Sequence, residues 1–154
     1  MNDPDDLIPS RVRAEILESH DRIRARIAEV RRMGTFARNN GALLPQLTEA
    51  TGDLIGTVRD HIEREQRLLV PTLRTIDAWG PERARRLLAT HRAQKGLLEH
   101  TERVLFRQQC SECEAVDCVE DLARTLERDM AEEERTHIPE KLMSEFIRVD
   151  FGGA

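Results

Sequence analysis

The sequence predicts an all-α fold, an antiparallel up-down-up-down bundle of four helices. Apolar residues recur at helical spacing through four long stretches, glycine and proline are sparse, and we find no strand candidate of any weight. The 154-residue chain fits one domain, and its 39% hydrophobic and 34% charged residues suit leucine-rich seams under a solvated outside. The alternative is an elongated coiled coil or a dimer of helical hairpins. Short connections between helices of similar length favour the compact bundle.

The first predicted helix begins at Ser10, its N-cap, and ends at the Asn-Asn-Gly run at 39–41. Its buried stripe comprises Val12, Ile16, His20, Ile23, Ile27 and Val30. The second predicted helix begins at Gln46 or Asp53 and ends near Ala78. Its stripe comprises Leu54, Val58, His61, Glu65, Leu68, Thr72 and Ile76.

Gly80 ends the second helix, and Pro81 opens the third at a first-turn position. The third stripe comprises Ala84, Leu88, His91, Lys95, Leu98 and Leu105. Ser111 and Glu114 have the spacing of a capping box at the start of the fourth helix. The fourth stripe comprises Val119, Leu122, Leu126, Asp129, Glu133, Glu140 and Ile147. The predicted organisation is a disordered or extended N-terminal tail, a four-helix bundle and a C-terminal tail, at residues 1–9, 10–148 and 149–154.

Charge and hydropathy exclude two kinds of partner. The formal charge of −5 argues against nucleic acid, which needs a clustered basic face. No stretch of about 18 apolar residues occurs, so we expect no membrane span. Residues 1–9 are acidic and polar and lack the layout of a secretory signal, so a cytoplasmic location is the default prediction. We expect a monomer or a weak homodimer.

The two halves of the chain are related by an internal repeat. Helices two and four align at an offset of 68 residues, and helices one and three also align, so two helical hairpins are related by a pseudo-twofold axis. The aligned pairs are His61 with Asp129, Glu65 with Glu133, Pro71 with Pro139, and His20 with His91. A proline inside a helix removes one backbone hydrogen bond, so the paired prolines predict a shared kink or a weakened last turn.

Six polar residues interrupt the apolar stripes near mid-helix: His20, His61, Glu65, His91, Asp129 and Glu133. Residues four apart differ by about 40° around a helix and about 6 Å along it, so both members of each pair point into one interior volume. Buried, unpaired carboxylates are costly, and neighbouring carboxylates raise one another's pKa. Two divalent or trivalent cations remove this problem, so the pattern predicts a dimetal site. The alternative is hydrogen-bonded core histidines, with the glutamates paired to a buried Arg or Lys.

These residues make the chain resemble the hemerythrin-like, or HHE cation-binding, domain family over nearly its whole length. The matching segments are LESHDRI at 17–23, HIEREQRLLVP at 61–71, LATH at 88–91 and DMAEEERTHIP at 129–139. The resemblance implies a non-haem centre of two iron ions, with the two glutamates as natural bridges. The ligands that it implies are His20, His61, Glu65, His91 and Glu133.

The chain departs from the family pattern at two positions. The fourth helix usually offers a histidine where Asp129 stands, but an aspartate still binds a hard iron ion, so Asp129 stays in the predicted ligand set. A more anionic set of ligands favours the oxidised metal. Oxygen-carrying members place a second histidine where Lys95 stands. This leaves an open coordination position or a lysine that hydrogen-bonds a bound oxygen species, although an ordinary solvent-facing lysine is favoured.

Two further groups stay open. His137 follows Glu133 by four residues and is an alternative ligand, although a place at the rim of the site is favoured. Cys110, Cys113 and Cys118 lie between the third and fourth helices. Ordinary thiols are favoured there over a redox-active dithiol or a metal site, since structural zinc needs a fourth ligand.

The leading functional hypothesis is a di-iron protein that binds, senses or reduces dioxygen, nitric oxide or peroxide. If the protein is an enzyme, it is a di-iron oxidoreductase acting on one of these small molecules. The family resemblance also covers iron storage or donation and the repair of iron–sulfur centres. A metal-free helical interaction module is the third hypothesis.

Overall fold

A computed structural model describes residues 7–107 and 109–144 of the chain. These residues form helices and turns and contain no strand. The helices are α1 (Pro9–Asn39), α2 (Leu44–Arg64), α3 (Val70–Ile76), α4 (Gly80–Leu105) and α5 (Glu112–Thr136), with a 3₁₀ turn at Gly41–Leu43 and a π-helical turn at Glu65–Leu69. The π turn joins α2 and α3 into one continuous helix, so the fold has four long helices. The prediction of an all-helical four-helix bundle is confirmed.

Neighbouring helices run in opposite directions, as their side-chain contacts show. Between α1 and α2, Ser19 Oγ lies 2.9 Å from His61 Nδ1, and Arg26 lies 3.9 Å from Asp53. Residue numbers therefore rise along α1 as they fall along α2. The same reversal holds for α1 against α5 and for α4 against α5, through the pairs Arg24–Glu134, Arg38–Asp117, Gln94–Asp129 and Thr101–Cys118.

The apolar core is divided into two clusters. The first includes Ile23, Ile27, Leu54, Val58, Ile62, Leu98, Leu126 and Met130. The second includes Val12, Ile16, Leu68, Leu69, Leu87 and Ile138. On each long helix a buried polar residue lies between the two clusters, and together these residues are His20, His61, Glu65, His91 and Glu133, which we call the polar layer. The layer is thus enclosed along the bundle axis by apolar side chains.

Helix ends differ from the predicted ones by a few residues. α1 begins at Pro9 with Ile8 at the N-cap position, two residues before the predicted N-cap Ser10. The second helix begins at Leu44, with Pro45 in its first turn. The predicted tails lie mostly outside the described residues, since residues 1–6 and 145–154 are not among them. No helix in the described ranges is long and apolar enough to cross a membrane.

The fourth helix is shorter than predicted. α5 ends at Thr136, so Glu140 lies in the turns that follow it, and the prediction that Glu140 continues the buried stripe is wrong. Ile147, also predicted in that stripe, lies outside the described residues. Pro139 contributes to this end, because it lacks an N–H and disfavours helical angles at the residue before it, although the equivalent Pro71 lies inside a helix that continues. Arg13 Nε donates to the Ile138 carbonyl at 2.9 Å and holds the departing chain against α1.

The paired prolines follow widened turns. The Val70 N–H donates to the Glu65 carbonyl five residues earlier, and Pro71 comes next. In the other half, the Ile138 N–H donates to the Glu133 carbonyl at 3.1 Å, and Pro139 comes next. A bond that spans five residues widens the helical turn directly before a residue that lacks an N–H. The internal repeat therefore extends from the side chains to the backbone.

The predicted capping box at α5 is present and gives a stability test. Ser111 Oγ accepts from the Glu114 N–H, and the Glu114 carboxylate accepts from the Ser111 N–H. We expect Ser111→Ala to lower the free energy of unfolding by about 1 kcal/mol, because it leaves an N–H at the helix start without its partner. Urea unfolding followed by circular dichroism measures this change.

The matched control is Thr35→Ala, which also removes an exposed hydroxyl group, but from the interior of a helix rather than from its N-cap. Thr35 Oγ1 donates only to the Arg31 carbonyl within α1, which is already a helix acceptor. We expect this variant to be as stable as the original chain or slightly more stable, because alanine has the higher helix propensity. Equal losses in the two variants would contradict the assigned role of the Ser111 cap.

Candidate metal centre

Four side chains from three helices meet in the polar layer. They are His20 of α1, His61 of α2, Glu65 of the π turn and Glu133 of α5, which we call the quartet. Each offers one nitrogen or oxygen, and these four atoms all lie within 4.8 Å of one another. Every member is at most 8% exposed. This number and chemistry of donors, buried between two apolar clusters, can hold a metal cation.

The donor atoms of the quartet face one another rather than other partners. His61 Nε2 lies 3.1 Å from Glu65 Oε1, and His20 Nε2 lies 3.5 Å from Glu133 Oε1 and 3.9 Å from Glu65 Oε1. His20 Nε2, Glu65 Oε1 and Glu133 Oε1 are buried, and they have no hydrogen-bonding partner among the described residues. Orphaned buried polar atoms are costly. Three such atoms around one small volume fit a cation, which satisfies all of them together.

Helical spacing explains the position of each donor. His20 lies between Ile16 and Ile23 on the buried face of α1, so it points inward with them. His61 and Glu65 are four residues apart and therefore share a face, and the π turn begins at Glu65 itself. π turns are frequent at functional sites, where they change the direction of side chains after the widened turn.

Burial and mutual charge perturb the two glutamates in opposite directions. Burial raises the pKa of Glu133 well above its usual range, and the Glu65 charge raises it further. Burial also disfavours the charged form of Glu65, but the neighbouring His61 and the hydrogen bond from His91 outweigh it and hold the pKa of Glu65 well below its usual range. The two carboxyl groups thus favour opposite protonation states, and a cation between them would stabilise the charged form of Glu133.

The surroundings of His20 favour its neutral form. Burial lowers the pKa of His20, and the nearby His61 lowers it further, although the hydrogen bond to Glu134 opposes this shift. A neutral imidazole is the form that binds a metal ion. The electrostatics of His20 thus agree with the ligand role expected from the sequence.

His91 extends the site on its α4 side. Its Nε2 donates to Glu65 Oε2 at 2.6 Å, and Gln66 Nε2 lies 3.5 Å from its Nδ1. The two oxygens of Glu65 therefore face different histidines, Oε1 toward His61 and His20 and Oε2 toward His91. Glu65 joins His91 to the quartet.

Comparison with known families gives a decisive match. The family profile described as the hemerythrin HHE cation-binding domain matches residues 11–140. The chain belongs to the hemerythrin HHE family. The match covers all four long helices and each candidate ligand. Comparison with curated proteins returned no significant match, and comparison with solved structures returned none either.

Family membership and the quartet together indicate that this HHE bundle binds metal cations. The quartet contains a histidine from α1, the His-x-x-x-Glu pair of the second long helix and the glutamate of α5. These are four of the six ligands expected from the sequence. His91 contacts the quartet through Glu65.

Asp129, the sixth expected ligand, lies at the edge of the centre. Its side chain is 14% exposed, and its Oδ1 pairs with Arg128 at 3.0 Å. Gln94 Nε2, on α4, donates a hydrogen bond to Asp129 Oδ2 at 3.2 Å. Asp129 is one helical turn from Glu133, so the two carboxylates share a face of α5.

Two other expected participants are less involved. Lys95 is exposed on α4, as the ordinary solvent-facing lysine favoured by the sequence would be. The neighbouring Gln94 is the buried residue, and its Oε1 has no hydrogen-bonding partner among the described residues. His137 is half-buried at the end of α5, outside the quartet, with Thr136 Oγ1 at 2.8 Å from its Nδ1.

The three cysteines are free thiols, and only Cys110 lies between the third and fourth long helices. Cys113 and Cys118 lie within α5, so their predicted position between the helices is wrong. Cys113 is exposed, while Cys110 and Cys118 are half-buried. Burial raises the pKa of Cys110, and nearby Glu114 raises it further. Burial raises the pKa of Cys118 as well. A raised pKa keeps these two thiols protonated and unreactive near neutral pH, which favours ordinary thiols over an activated dithiol.

Sequence reasoning missed the residues that orient the imidazoles. His20 Nδ1 donates to Glu134 Oε1 at 2.7 Å, and Arg24 also donates to that oxygen at 2.7 Å. Ser19 Oγ hydrogen-bonds His61 Nδ1 at 2.9 Å. In each case the Nδ1 partner leaves Nε2 directed at the quartet. Glu134 directly follows a candidate ligand, but nothing in the sequence pairs it with a histidine 114 residues away.

Ser19 provides a test of this orientation. We expect Ser19→Ala to weaken metal binding by about 10- to 100-fold, because the His61 ring loses the partner that holds it toward Glu65. Isothermal titration with ferrous iron under anaerobic conditions measures the affinity.

The matched control is Thr51→Val, which removes a buried hydroxyl from the same bundle. Thr51 Oγ1 donates only to the Leu47 carbonyl within its own helix, at 2.7 Å. We expect its metal affinity to remain at the original value. Unchanged affinity in Ser19→Ala, or equal weakening in both variants, would refute the role given to Ser19.

Proposed function

We propose that this HHE protein is a non-haem di-iron protein that binds, senses or reduces dioxygen, nitric oxide or peroxide. One observation carries the proposal: three orphaned donor atoms of the quartet converge in a buried layer of the bundle core. A cation would satisfy all three atoms together, which is the reason for favouring a metal-binding protein over a metal-free interaction module. The absence of a membrane-spanning helix in the described residues is compatible with a cytoplasmic location, which stays a prediction from the sequence.

The orientation of Glu65 supports two ions rather than one. Its Oε1 faces the histidines of α1 and α2, while its Oε2 faces His91 of α4. A carboxylate with each oxygen directed at a different set of nitrogens would suit a site with two ions. In this proposal the residues that would hold the ions are His20, His61, Glu65, His91, Asp129 and Glu133, and the ions would compensate the charge of the buried carboxylates.

The donor set favours iron. Imidazole nitrogens with carboxylate oxygens suit iron, and no thiol belongs to the quartet. Bound iron would supply the redox change and the open coordination positions that dioxygen, nitric oxide and peroxide require. The chain's own contribution is to keep His20 and His61 oriented, to hold the carboxylates together and to cover the centre along the bundle axis with the two apolar clusters.

A second candidate function is the storage or donation of iron, without chemistry on a small molecule. The position of Asp129 favours it, because an oxygen ligand at the partly exposed edge of the site binds and releases cations more readily than a buried histidine. Repair of iron–sulfur centres would need the same release. Retention of the iron against a chelator separates this candidate from the first.

Metal analysis of protein loaded with ferrous iron tests the proposal. We expect about two iron ions per chain, a higher melting temperature and visible absorption that changes on adding nitric oxide or peroxide. We expect Glu133→Ala to lose at least one ion and most of the thermal stabilisation, whereas Glu99→Ala, an exposed substitution on α4, retains both.

Each outcome has a distinct meaning. Iron that a chelator removes readily, with no response to the gases or to peroxide, would favour storage or donation. No bound iron, together with an unchanged melting temperature, would contradict both functions.

Asp129 is one of the two residues at which this chain departs from the family pattern expected from the sequence. We expect Asp129→His to bind dioxygen more strongly and more reversibly, because a neutral nitrogen donor replaces an anionic one and stabilises the oxidised metal less. Optical titration with dioxygen measures affinity and reversibility. Asp121→His, an exposed histidine on the same helix, is the control and should behave as the original chain. An unchanged spectrum and affinity in Asp129→His would show that Asp129 is not a ligand.

A further inference from the structure

A cleft of about 230 Å³ separates α4 from α5 beside the metal centre. Leu87 and Thr90 contribute to its α4 wall, and Asp129, Glu132 and Glu133 contribute to its α5 wall. Glu133 also belongs to the quartet, so the inner end of the cleft meets the centre. Three other grooves in the described part of the chain have no quartet residue in their walls.

The three carboxylates of the cleft are graded in burial. The side chain of Glu132 is 59% exposed, that of Asp129 is 14% exposed, and that of Glu133 is 9% exposed. Asp129 lies one helical turn before the other two, three residues from Glu132 and four from Glu133, so its side chain is next to both on the surface of α5. A line of carboxylates therefore leads from solvent to the quartet.

The innermost carboxylate, that of Glu133, has an oxygen without a partner in the described part of the chain, unlike the paired carboxylates at the surface. Glu133 Oε1 is buried and has no hydrogen-bonding partner among the described residues. Gln94, from the α4 side, holds the middle carboxylate, that of Asp129, through its Nε2 at 3.2 Å. The Asp129 carboxylate is thereby fixed beside Glu133 rather than free to turn into solvent.

The guanidinium groups near the cleft do not reverse its charge. Arg86 lies in the α4 wall, but its Nε is 2.9 Å from Glu82 outside the cleft. Arg128 and Arg135 pair with Asp129 and Glu132 and are 74% and 70% exposed. Exposed pairs of this kind are weak and are easily exchanged for another cation. The lining is therefore acidic toward the centre and suits a cation.

We propose that divalent metal cations reach the quartet through this cleft, passing from Glu132 to Asp129 and then to Glu133. The inference rests on the proposed metal-binding function and adds the route by which the centre is filled. Carboxylates in a walled cleft raise the local concentration of cations and speed their capture. Asp129 then has two roles. It binds the cation during entry, and it is a ligand of the filled centre.

Stopped-flow loading with Co²⁺ alone, followed by its visible absorption, tests the route. We expect Glu132→Lys to slow loading by roughly three- to tenfold at low ionic strength, and by less at about 0.5 M salt, because the effect is electrostatic. The final cobalt content should match that of the original chain. Thr90→Phe, which narrows the cleft from the α4 wall, should also slow loading, but with no dependence on salt.

Each variant has a matched control. Glu29→Lys reverses a charge that is likewise paired with an arginine three residues later, but on the outside of α1. Thr57→Phe enlarges a half-buried threonine on α2, outside the cleft. Both controls should load at the original rate.

The outcomes separate the route from the function. If Glu132→Lys and Thr90→Phe load at the original rate and to the original level, the proposed route is wrong and the metal centre stands. If Glu29→Lys slows loading as much as Glu132→Lys, total charge governs the rate and the route is again wrong. If the original chain takes up no cobalt and no iron, the proposed metal-binding function fails, and the route fails with it.

Discussion

The packing of two glutamates against each other in the core is the constraint on which the rest of the bundle depends. Glu65 and Glu133 come from different helices and meet among buried histidines. Two adjacent buried carboxylates cannot both be charged without a compensating cation, and their pKa values are accordingly driven apart. The bundle tolerates this arrangement because apolar clusters on both sides stabilise the helices that carry it. We therefore expect metal binding to stabilise this fold.

The backbone around the two glutamates shows how the bundle accommodates them. Each glutamate carbonyl accepts a hydrogen bond from an N–H five residues later, and a proline follows in both halves. The outcomes then differ. After Pro71 the helix continues as α3, whereas after Ile138 the chain leaves the helix. The same pattern, a five-residue hydrogen bond followed by a proline, thus forms a bulge within a helix in the first half. In the second half it coincides with the end of a helix.

The asymmetry between the halves also divides the site into a buried side and an open side. On the α1 side, Arg24 and Glu134 hold His20, and Ser19 holds His61. On the α4–α5 side, Asp129 takes the position that repeats His61, and a cleft reaches the centre there. The side with oriented imidazoles is suited to keep an ion, and the side with carboxylates is suited to exchange one. This difference is the structural basis for proposing both a retained centre and a route of access to it.

The sequence by itself determined the fold, the start of α5 and the stripe positions of the candidate ligands. These features depend on local spacing: a residue such as His20 between Ile16 and Ile23 must share their face, and Ser111 with Glu114 must cap the helix that follows. Tertiary structure decided which residues meet across helices. Gln94 rather than Lys95 turns inward, Glu134 supports His20 from 114 residues away, and Asp129 borders a cleft instead of the quartet. Helical periodicity specifies the face on which a residue lies. Which residue of another helix it contacts depends on how helices far apart in the chain are aligned and crossed. A local sequence pattern does not specify that alignment.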